Sequence, residues 1–412
     1  MKLFIKILAA YITMLLLFIV LIIGTYCIPN AWVEEHIVTS EQTIQQEGLY
    51  PRLGSTFFMM DNYTDGLMLN LAASADNDNP VQSSMNNPYY IIADGGGNIA
   101  DAGELVAQNK FQNLEKNYYG RYWQGYLVLL RPLLILMDYS GIRILNYLLL
   151  TLLVISCYSL LKKRISKKVA VLFVISLMLI NFPLVPYSMQ FSTCFYIALT
   201  AMVVLLKSDI LTDSFGNTAC SFFIIGGVTA YLDFLTTPQL TLGLPLLVCM
   251  MMKNDSNKWK KVIQLSIFWA LGYGGIWTSK WLAGSILTGR NFYTEALAQI
   301  QYRTIGEFGE ENLVGIYKYW FLFLFLFLFL LVLLLYWKIG KSKTVFKHYS
   351  YLLLISMITP VWYFMIRNHS IEHFWFTWRA LLLSLYGYLL FVCHVMDINK
   401  INHIYFTKIW KR

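Results

Sequence analysis

The residues best suited to chemistry in this chain are two aspartates in its first polar stretch. Asp61 and Asp65 lie four residues apart in the segment DNYTDG, so on a helix their carboxylates share one face. Such a pair can hold a divalent metal ion, or one carboxylate can act as a general base whose pKa the other raises. The alternative is that Asp61 caps a helix and Asp65 is a solvated neighbour.

A second candidate lies near the carboxyl end, in the segment RNHSIEHFWFTWR. It contains two histidines, one glutamate and two flanking arginines: His369, His373, Glu372, Arg367 and Arg379. A helical turn aligns the histidines, and an HxxxH pair can bind a metal, but the glutamate position of an HExxH protease is absent. The aromatic residues of this segment suit either a sugar-stacking surface or the aromatic belt of a membrane interface.

Three more charged residues stand at or near the ends of apolar segments, namely Asp233, Lys280 and Arg303. A charge at membrane depth is costly, so it usually faces a cavity or a partner. Cations there suit the phosphate of a lipid carrier. The alternative is that they pair with nearby acids such as Glu295 or extend to the interface.

The elements that must position these residues are apolar helices. Hydrophobic residues make up 57% of the 412 residues and charged residues 13%, and the mean hydropathy is +0.54. Several apolar runs reach the length of about 18 residues that a membrane helix needs. These values predict an integral membrane protein and exclude a soluble globular one. The net charge of +9 falls mostly in short loops, so no nucleic acid is expected as a partner.

The predicted fold is an all-α polytopic membrane protein of about ten transmembrane helices. Its large first extracytoplasmic loop is expected to carry short juxtamembrane helices, and residues 29–124 of it hold 12 of the 23 acids. The predicted domains are a first transmembrane helix at 1–28, a loop domain with an interfacial helix at 29–142, a helical membrane domain at 143–398 and a cytoplasmic tail at 399–412.

The apolar segment Tyr122–Met137 is the difficult case for this topology. It is short and is interrupted by Arg131-Pro132. We expect it to lie on the outer surface, with Arg121 and Arg131 reaching toward headgroups or phosphate. With this segment outside, the predicted inner pieces carry 20 of the 32 Lys and Arg residues but only four of the acids. This asymmetry predicts a multi-pass protein with both termini in the cytoplasm.

In layout the chain resembles bacterial GT-C-type glycosyltransferases and their uncharacterised membrane relatives from surface-polysaccharide loci. The resemblance covers most of the chain: a large outer loop after the first helix, about ten helices and an outer loop with histidine and arginine, NHSIEHFWFTWR. It implies a protein of the bacterial cytoplasmic (inner) membrane that takes a sugar from a polyprenyl-phosphate donor. The acceptor would be a cell-envelope glycan or lipid, with membrane lipids around the protein.

The resemblance also implies roles for the candidate residues. The family's catalytic acid lies in the first outer loop, so that role falls on Asp61 or Asp65, although the family's acid often comes soon after the first helix, where this chain has Glu34-Glu35. His369 and His373 would orient phosphate or assist protonation. The cations expected to neutralise the leaving phosphate are Lys280, Arg303, Arg367 and Arg379, and Asp233 and Glu372 complete the substrate-binding candidates.

Other functions stay open at this point. A polysaccharide polymerase or ligase would use the same chemistry on a lipid-linked oligosaccharide. A transporter or flippase of lipid-linked glycans would need paired charges at the membrane midplane and internal repeats. A non-catalytic scaffold of envelope assembly would tolerate loss of the acids and the histidines. No cofactor is required by the sequence, and a divalent metal at the aspartate pair is one of the open alternatives.

Overall fold

The computed structural model describes residues 1–52, 54, 58–93, 95–253, 257–305, 330–331, 334, 336–337 and 340–397. Within these residues the chain is mostly helical. The helices long and apolar enough to cross a membrane are Lys2–Tyr26, Tyr139–Arg164, Met189–Lys207, Phe215–Leu232 and Phe374–Val395. The prediction of a helical membrane protein is therefore confirmed. One of the about ten helices predicted from the sequence is the apolar segment 315–336, and it lies almost entirely outside the described residues. The predicted tail 399–412 lies wholly outside them.

The first half of the chain contains the insertion and the helices on either side of it. In chain order its elements are α1 (Lys2–Tyr26), α2 (Glu34–Glu47), α3 (Asn62–Ala73), α4 (Pro80–Asn86), β1 (Pro88–Ile92), α5 (Ile99–Ala107), β2 (Leu114–Tyr118), α6 (Leu127–Leu134), α7 (Tyr139–Arg164), α8 (Lys167–Leu179) and α9 (Met189–Lys207).

In the second half, the regular elements among the described residues are all helices. Its elements are α10 (Phe215–Leu232), α11 (Gln239–Met252), α12 (Lys258–Thr288), α13 (Phe292–Ile305), α14 (Lys343–Tyr349), α15 (Tyr351–Ser356), α16 (Ile358–Met365), α17 (Arg367–Glu372), α18 (Phe374–Thr377) and α19 (Leu381–Val395).

Side-chain caps fix where several helices of the insertion begin. The Asn98 side chain accepts hydrogen bonds from the N–H groups of Ala100 and Asp101, and the Asp101 carboxylate accepts one from the Asn98 N–H. This reciprocal pair is a capping box, which satisfies N–H groups that have no partner inside the helix. The insertion also contains a feature that was not predicted, the antiparallel pairing of β1 with β2.

Glycines let two helices of the bundle pack closely. A Cβ atom at Gly226 of α10 would lie 2.1 Å from the Trp269 carbonyl oxygen of α12, and one at Gly272 would lie 1.9 Å from the Phe223 carbonyl oxygen. Only glycine fits at both positions. Small residues at a helix interface allow the close backbone approach that replaces hydrophobic driving force inside a bilayer.

Arg131 links the insertion to the first helix. Its guanidinium donates to the carbonyl oxygens of Thr25, Ile28 and Ala72 and to the Asn30 side chain, so it satisfies carbonyl groups at the carboxyl ends of α1 and α3. The expectation that this arginine reaches lipid headgroups is wrong, because its side chain is fully buried. The helix that carries it, α6, is eight residues long, too short to cross a bilayer.

The helix bundle has two chemically different ends. At one end, which we call the basic end, Lys6 donates to Asn217 at 2.7 Å and Arg164 pairs with Asp209. At the other, which we call the insertion end, the Tyr26 hydroxyl at the end of α1 donates to Asn87 at 2.9 Å. The insertion therefore covers the end of the bundle opposite the short basic loops.

Glu41 of α2 is an unusual core residue of the insertion. It is fully buried, and neither carboxylate oxygen has a hydrogen-bond partner among the described residues. A Cβ atom at Gly103 of α5 would lie 2.0 Å from its Oε1, so the carboxyl group is packed directly against that helix. Burial, and then the charges of Glu104 and Asp101, hold the pKa of Glu41 well above its usual range.

We predict that Glu41→Gln stabilises the protein at neutral and alkaline pH. A carboxyl group whose pKa is raised by folding favours the folded state at acidic pH, and this contribution falls as the pH rises above its unfolded pKa of about 4.3. The melting temperature of Glu41→Gln should exceed the parental value at pH 8 and approach it at pH 5. The control is Glu35→Gln, a change at an exposed glutamate of the same helix α2, which should show no such pH-dependent gain. An equal shift at both pH values would contradict the assignment.

Candidate functional site at the insertion end

Asp61 is a buried acid that also caps a helix. Its Oδ1 accepts from the Thr64 N–H at 3.0 Å and its Oδ2 from the Thr64 hydroxyl at 2.7 Å, so it begins α3 in the way aspartate usually does. The side chain is 1% exposed. Burial raises the pKa of Asp61 to about 7; the charge of Asp65 also raises it, and the Thr64 hydrogen bonds and the charge of Arg379 oppose the rise.

Asp65 has a different environment although it lies one turn away. Its Oδ1 accepts from the Ser188 hydroxyl at 3.1 Å and the Gln190 N–H at 3.0 Å, and its Oδ2 from the Met189 N–H at 3.0 Å and the Tyr139 hydroxyl at 2.5 Å. A carboxylate at a helix N-terminus satisfies free N–H groups and interacts favourably with the helix dipole. Asp65 therefore ties α3 of the insertion to the start of α9.

The network around Asp65 extends through an arginine of α7. Arg143 donates to the Tyr139 hydroxyl at 3.0 Å, to the Asn62 side chain at 3.0 Å and to both carboxylate oxygens of Glu47, at 2.6 and 2.9 Å. Burial raises the pKa of Asp65, while its hydrogen bonds and the charge of Arg143 oppose the rise. The two aspartates are thus not an equivalent pair, because the oxygens of Asp65 are already occupied.

Arg379 is the cation placed to act with Asp61. Its guanidinium lies 4.1 Å from the centre of the Phe191 ring, and the side chain is 1% exposed. Its one described hydrogen bond is a long one, 3.4 Å to the Phe376 carbonyl oxygen, and its Nε and Nη2 atoms have no described partner. Buried donors without partners cost free energy, so this guanidinium is prepared for an anion.

An aromatic cluster lies between these two charges and the surface. Tyr50 stacks on Tyr63 with ring centres 6.1 Å apart and meets the edge of Trp375 at 5.5 Å. Phe191 contacts both Trp375, at 6.5 Å, and Phe376, at 6.0 Å. Tyr50 and Tyr63 are 44% and 41% exposed, so the cluster opens to the outside at their end. Exposed aromatic faces suit the apolar face of a sugar ring.

His369 is held on both sides by protein groups. Its Nε2 lies 3.1 Å from the Leu235 carbonyl oxygen and its Nδ1 contacts the Arg303 guanidinium. Burial lowers the pKa of His369 well below its usual range, and the charges of Arg303 and His373 lower it further. A neutral ring with Nε2 protonated fits both contacts, since Nδ1 then accepts from the arginine.

His373 packs next to His369 with ring centres 4.6 Å apart. Burial, and then the charge of Arg303, lower the pKa of His373 to about 4. Its Nε2 lies 3.7 Å from the exposed Glu372 carboxylate, beyond hydrogen-bond distance. Both rings are therefore neutral at pH 7. The described residues contain no group of three or more His, Cys, Asp or Glu side chains that could hold a metal ion.

The side chain of Asp233 shapes the turn that contains Leu235. Its carboxylate accepts from the Leu235 N–H at 2.9 Å and from the N–H and hydroxyl of Thr236. The resulting turn holds Leu235 at φ 78°, in the left-handed region that branched side chains rarely adopt. The Leu235 carbonyl is the group that His369 contacts, so the turn held by Asp233 also fixes the position of His369.

Lys280 and Arg367 lie apart from Asp61 and Arg379. The Lys280 ammonium is buried, donates to the carbonyl oxygens of Ser84 and Met85 at 3.0 and 2.9 Å, and lies 5.5 Å from the centre of the Trp123 ring. It therefore closes the carboxyl end of α4. Arg367 is exposed at the start of α17. Neither has a described contact with Asp61 or Arg379.

The structure thus brings together part of the predicted site. Asp61 and Arg379 are both buried, and their charges act on each other. Asp233, Arg303, His369 and His373 form an adjoining group, which meets Arg379 at Phe376: the Phe376 ring lies 5.4 Å from the His373 ring, and its carbonyl oxygen accepts from Arg379. The residues that the sequence did not single out are Tyr50 and Phe191. An aromatic residue in a membrane protein is too common to mark a site without its neighbours.

The fold and this site define a helical membrane protein with a buried acid and a buried arginine at one end of its bundle. No family model, curated protein or solved structure matches the chain.

We predict that the two aspartates differ in their contribution to stability. Asp65→Asn should lower the free energy of unfolding by about 2 kcal/mol or more, because hydrogen bonds to a charged group each contribute about 1.5–3 kcal/mol. Asp61→Asn should change it by less than about 1 kcal/mol, since asparagine caps a helix as well as aspartate does. Thermal unfolding of the purified variants in one detergent measures both. Equal losses would show that Asp61 is also a structural residue.

Proposed function

We propose that the protein is a membrane glycosyltransferase that acts at the outer face of the bacterial cytoplasmic membrane. It would move a sugar from a polyprenyl-phosphate-type donor to a cell-envelope glycan or lipid. The observation that carries this proposal is the burial of Asp61 and Arg379, whose charges act on each other, next to an open aromatic cluster. A base, a cation for a leaving phosphate and a surface for a sugar ring are the three parts that such a transfer needs.

Asp61 is the base in this proposal. A carboxyl group with a pKa of about 7 is close to the ideal for a general base at neutral pH, because a useful fraction is ionised and still accepts a proton readily. Asp65 cannot take this role while its oxygens hold the start of α9. Its negative charge instead helps keep the pKa of Asp61 high.

In the proposed reaction the acceptor hydroxyl attacks the anomeric carbon of the donor sugar. The new carbon–oxygen bond forms as the bond from that carbon to the phosphate oxygen breaks, and Asp61 takes the hydroxyl proton. The electron pair of the broken bond leaves on the lipid phosphate. Arg379 stabilises that developing charge with the donors that are unpartnered among the described residues, in a buried site where such an interaction is strong.

Arg303 is the second cation of the proposal. It contacts His369, and its Nε is buried with no described partner. In this proposal the neutral histidines orient Arg303, because His369 is itself held by the Leu235 carbonyl, and they do not orient the phosphate or assist protonation directly. Lys280 is left out of the proposed site, because its three ammonium protons are directed to Ser84 and Met85.

The proposed orientation rests on the charges at the two ends of the bundle. The segments at the basic end carry most of the Lys and Arg residues that the structure describes, which is typical of the cytoplasmic side. The insertion then lies outside with Asp61, and both termini lie inside. The lipid-linked donor would enter from the outer leaflet of the membrane, next to the helices that carry Arg379 and Phe191.

We predict that Asp61→Asn abolishes transfer while leaving the protein folded. Loss of a general base typically costs about 100-fold to 10,000-fold in rate. The assay uses purified protein in proteoliposomes with a panel of labelled sugar polyprenyl phosphates and bacterial envelope glycolipids. Asp138 gives a matched control, since it also caps a helix near the insertion, accepting from the Gly141 N–H at 2.9 Å.

The control Asp138→Asn should keep the parental rate. If Asp61→Asn is folded and transfers sugar as fast as the control, Asp61 is not the base. If the parental protein transfers no sugar from any donor of the panel, while an established transferase is active in the same vesicles, the proposed activity itself is wrong.

The pH dependence of the reaction provides a separate prediction. The base works only when ionised, so below the Asp61 pKa of about 7 the rate should rise about tenfold per pH unit and level off above it. The residual rate of Asp61→Asn should lack this rise. Initial rates between pH 5.5 and 8.5, checked for unchanged protein stability, measure it. A parental rate that is flat over this interval would exclude Asp61 as the titrating base.

A further inference from the structure

A polar cavity lies at the basic end, opposite the Asp61 site. Its volume is about 300 Å³. It lies where the end of α11, the start of α12, α14 and the end of α19 come together. Its lining includes Lys253, Lys258, His348 and His394. We call it the basic pocket. None of the described residues that line it is acidic.

Lys258 and the two histidines of the basic pocket are held in place by aromatic contacts. Lys258 is 7% exposed and its ammonium lies 4.8 Å from the centre of the Tyr351 ring. The His394 ring packs on the Tyr349 ring with centres 4.3 Å apart. The His348 ring also contacts the Tyr349 ring, with centres 4.8 Å apart. A site in which the side chains are already ordered binds a ligand at a lower entropic cost.

Two helix N-termini add to the positive potential. Ser166 lines the pocket and caps α8 by accepting from the Val169 N–H at 3.3 Å, and α12 begins at Lys258. The N-terminus of a helix carries about half a positive charge and presents free N–H groups. Together with the lysines, these ends make the cavity suited to an anion with several oxygen atoms.

We propose that the basic pocket is a binding site for a phosphate-bearing ligand. The pocket opens at the end of the bundle where the short basic loops lie, so the ligand is either the phosphate headgroup of a lipid in that leaflet or a soluble diphosphate. The tyrosine and serine hydroxyl groups would donate hydrogen bonds to its oxygens. This site is separate from the transferase site, and it does not depend on the proposed reaction.

The test uses the full chain in phosphatidylcholine nanodiscs. Calorimetric titration with inorganic diphosphate measures the soluble ligand, and native mass spectrometry after addition of phosphatidylglycerol measures the retained lipid. The variants are Lys253→Ala and Lys258→Met, the latter chosen because methionine keeps the apolar stem against Tyr351. The matched control is Lys260→Ala, an exposed lysine on the same helix. Gel filtration confirms that each variant is folded.

We expect one of the two ligands to bind, and each pocket variant to weaken that binding about tenfold or more, as loss of a charge-assisted hydrogen bond does. Lys260→Ala should bind as the parental protein does. Binding of diphosphate identifies a soluble ligand, and retention of phosphatidylglycerol identifies a lipid headgroup. If neither binds, or if Lys260→Ala weakens binding as much as Lys258→Met, the proposal is overturned.

Discussion

The rest of the structure depends on the contact between the Asp65 carboxylate and the start of α9. This carboxylate satisfies the N–H groups of Met189 and Gln190, which no residue inside the helix can reach. It is buried, so loss of the contact would leave an unpaired charge and unpaired donors together. The contact fixes α3 against a membrane-crossing helix, and α3 begins at the residue after Asp61. The position of the proposed base is therefore set by a structural neighbour rather than by a flexible loop.

The two aspartates show how environment divides the roles of identical side chains. Both are buried and both have a raised pKa. Asp65 accepts from four donors in two parts of the chain, Tyr139 and the run Ser188–Gln190, whereas both hydrogen bonds to Asp61 come from Thr64. Asp61 also lies near a guanidinium with unpartnered donors among the described residues. The acid with fewer partners is the one left for chemistry, and the well-bonded acid supports it.

The sequence predicted the membrane class, because apolar length and low charge need no tertiary information. It also pointed to Asp61 and Arg379, since acids and arginines next to apolar helices are rare. It could not predict that Lys280 caps α4 or that Arg131 closes α1 and α3, because these cations bind backbone carbonyls from distant segments. Backbone acceptors leave no mark in a sequence. For the same reason, the pairing of β1 with β2 and the use of Phe191 beneath Arg379 were found only in the structure.

The most direct test of the site is an experimental structure of the protein with a polyprenyl phosphate bound in a nanodisc. We expect the phosphate within hydrogen-bond distance of the Arg379 guanidinium, with the Tyr50–Tyr63 opening beside it and Asp61 facing the space that a sugar would occupy. The pairing of Asp65 with α9 should be unchanged. A phosphate bound elsewhere at the insertion end, with Arg379 still unpartnered, would contradict the account.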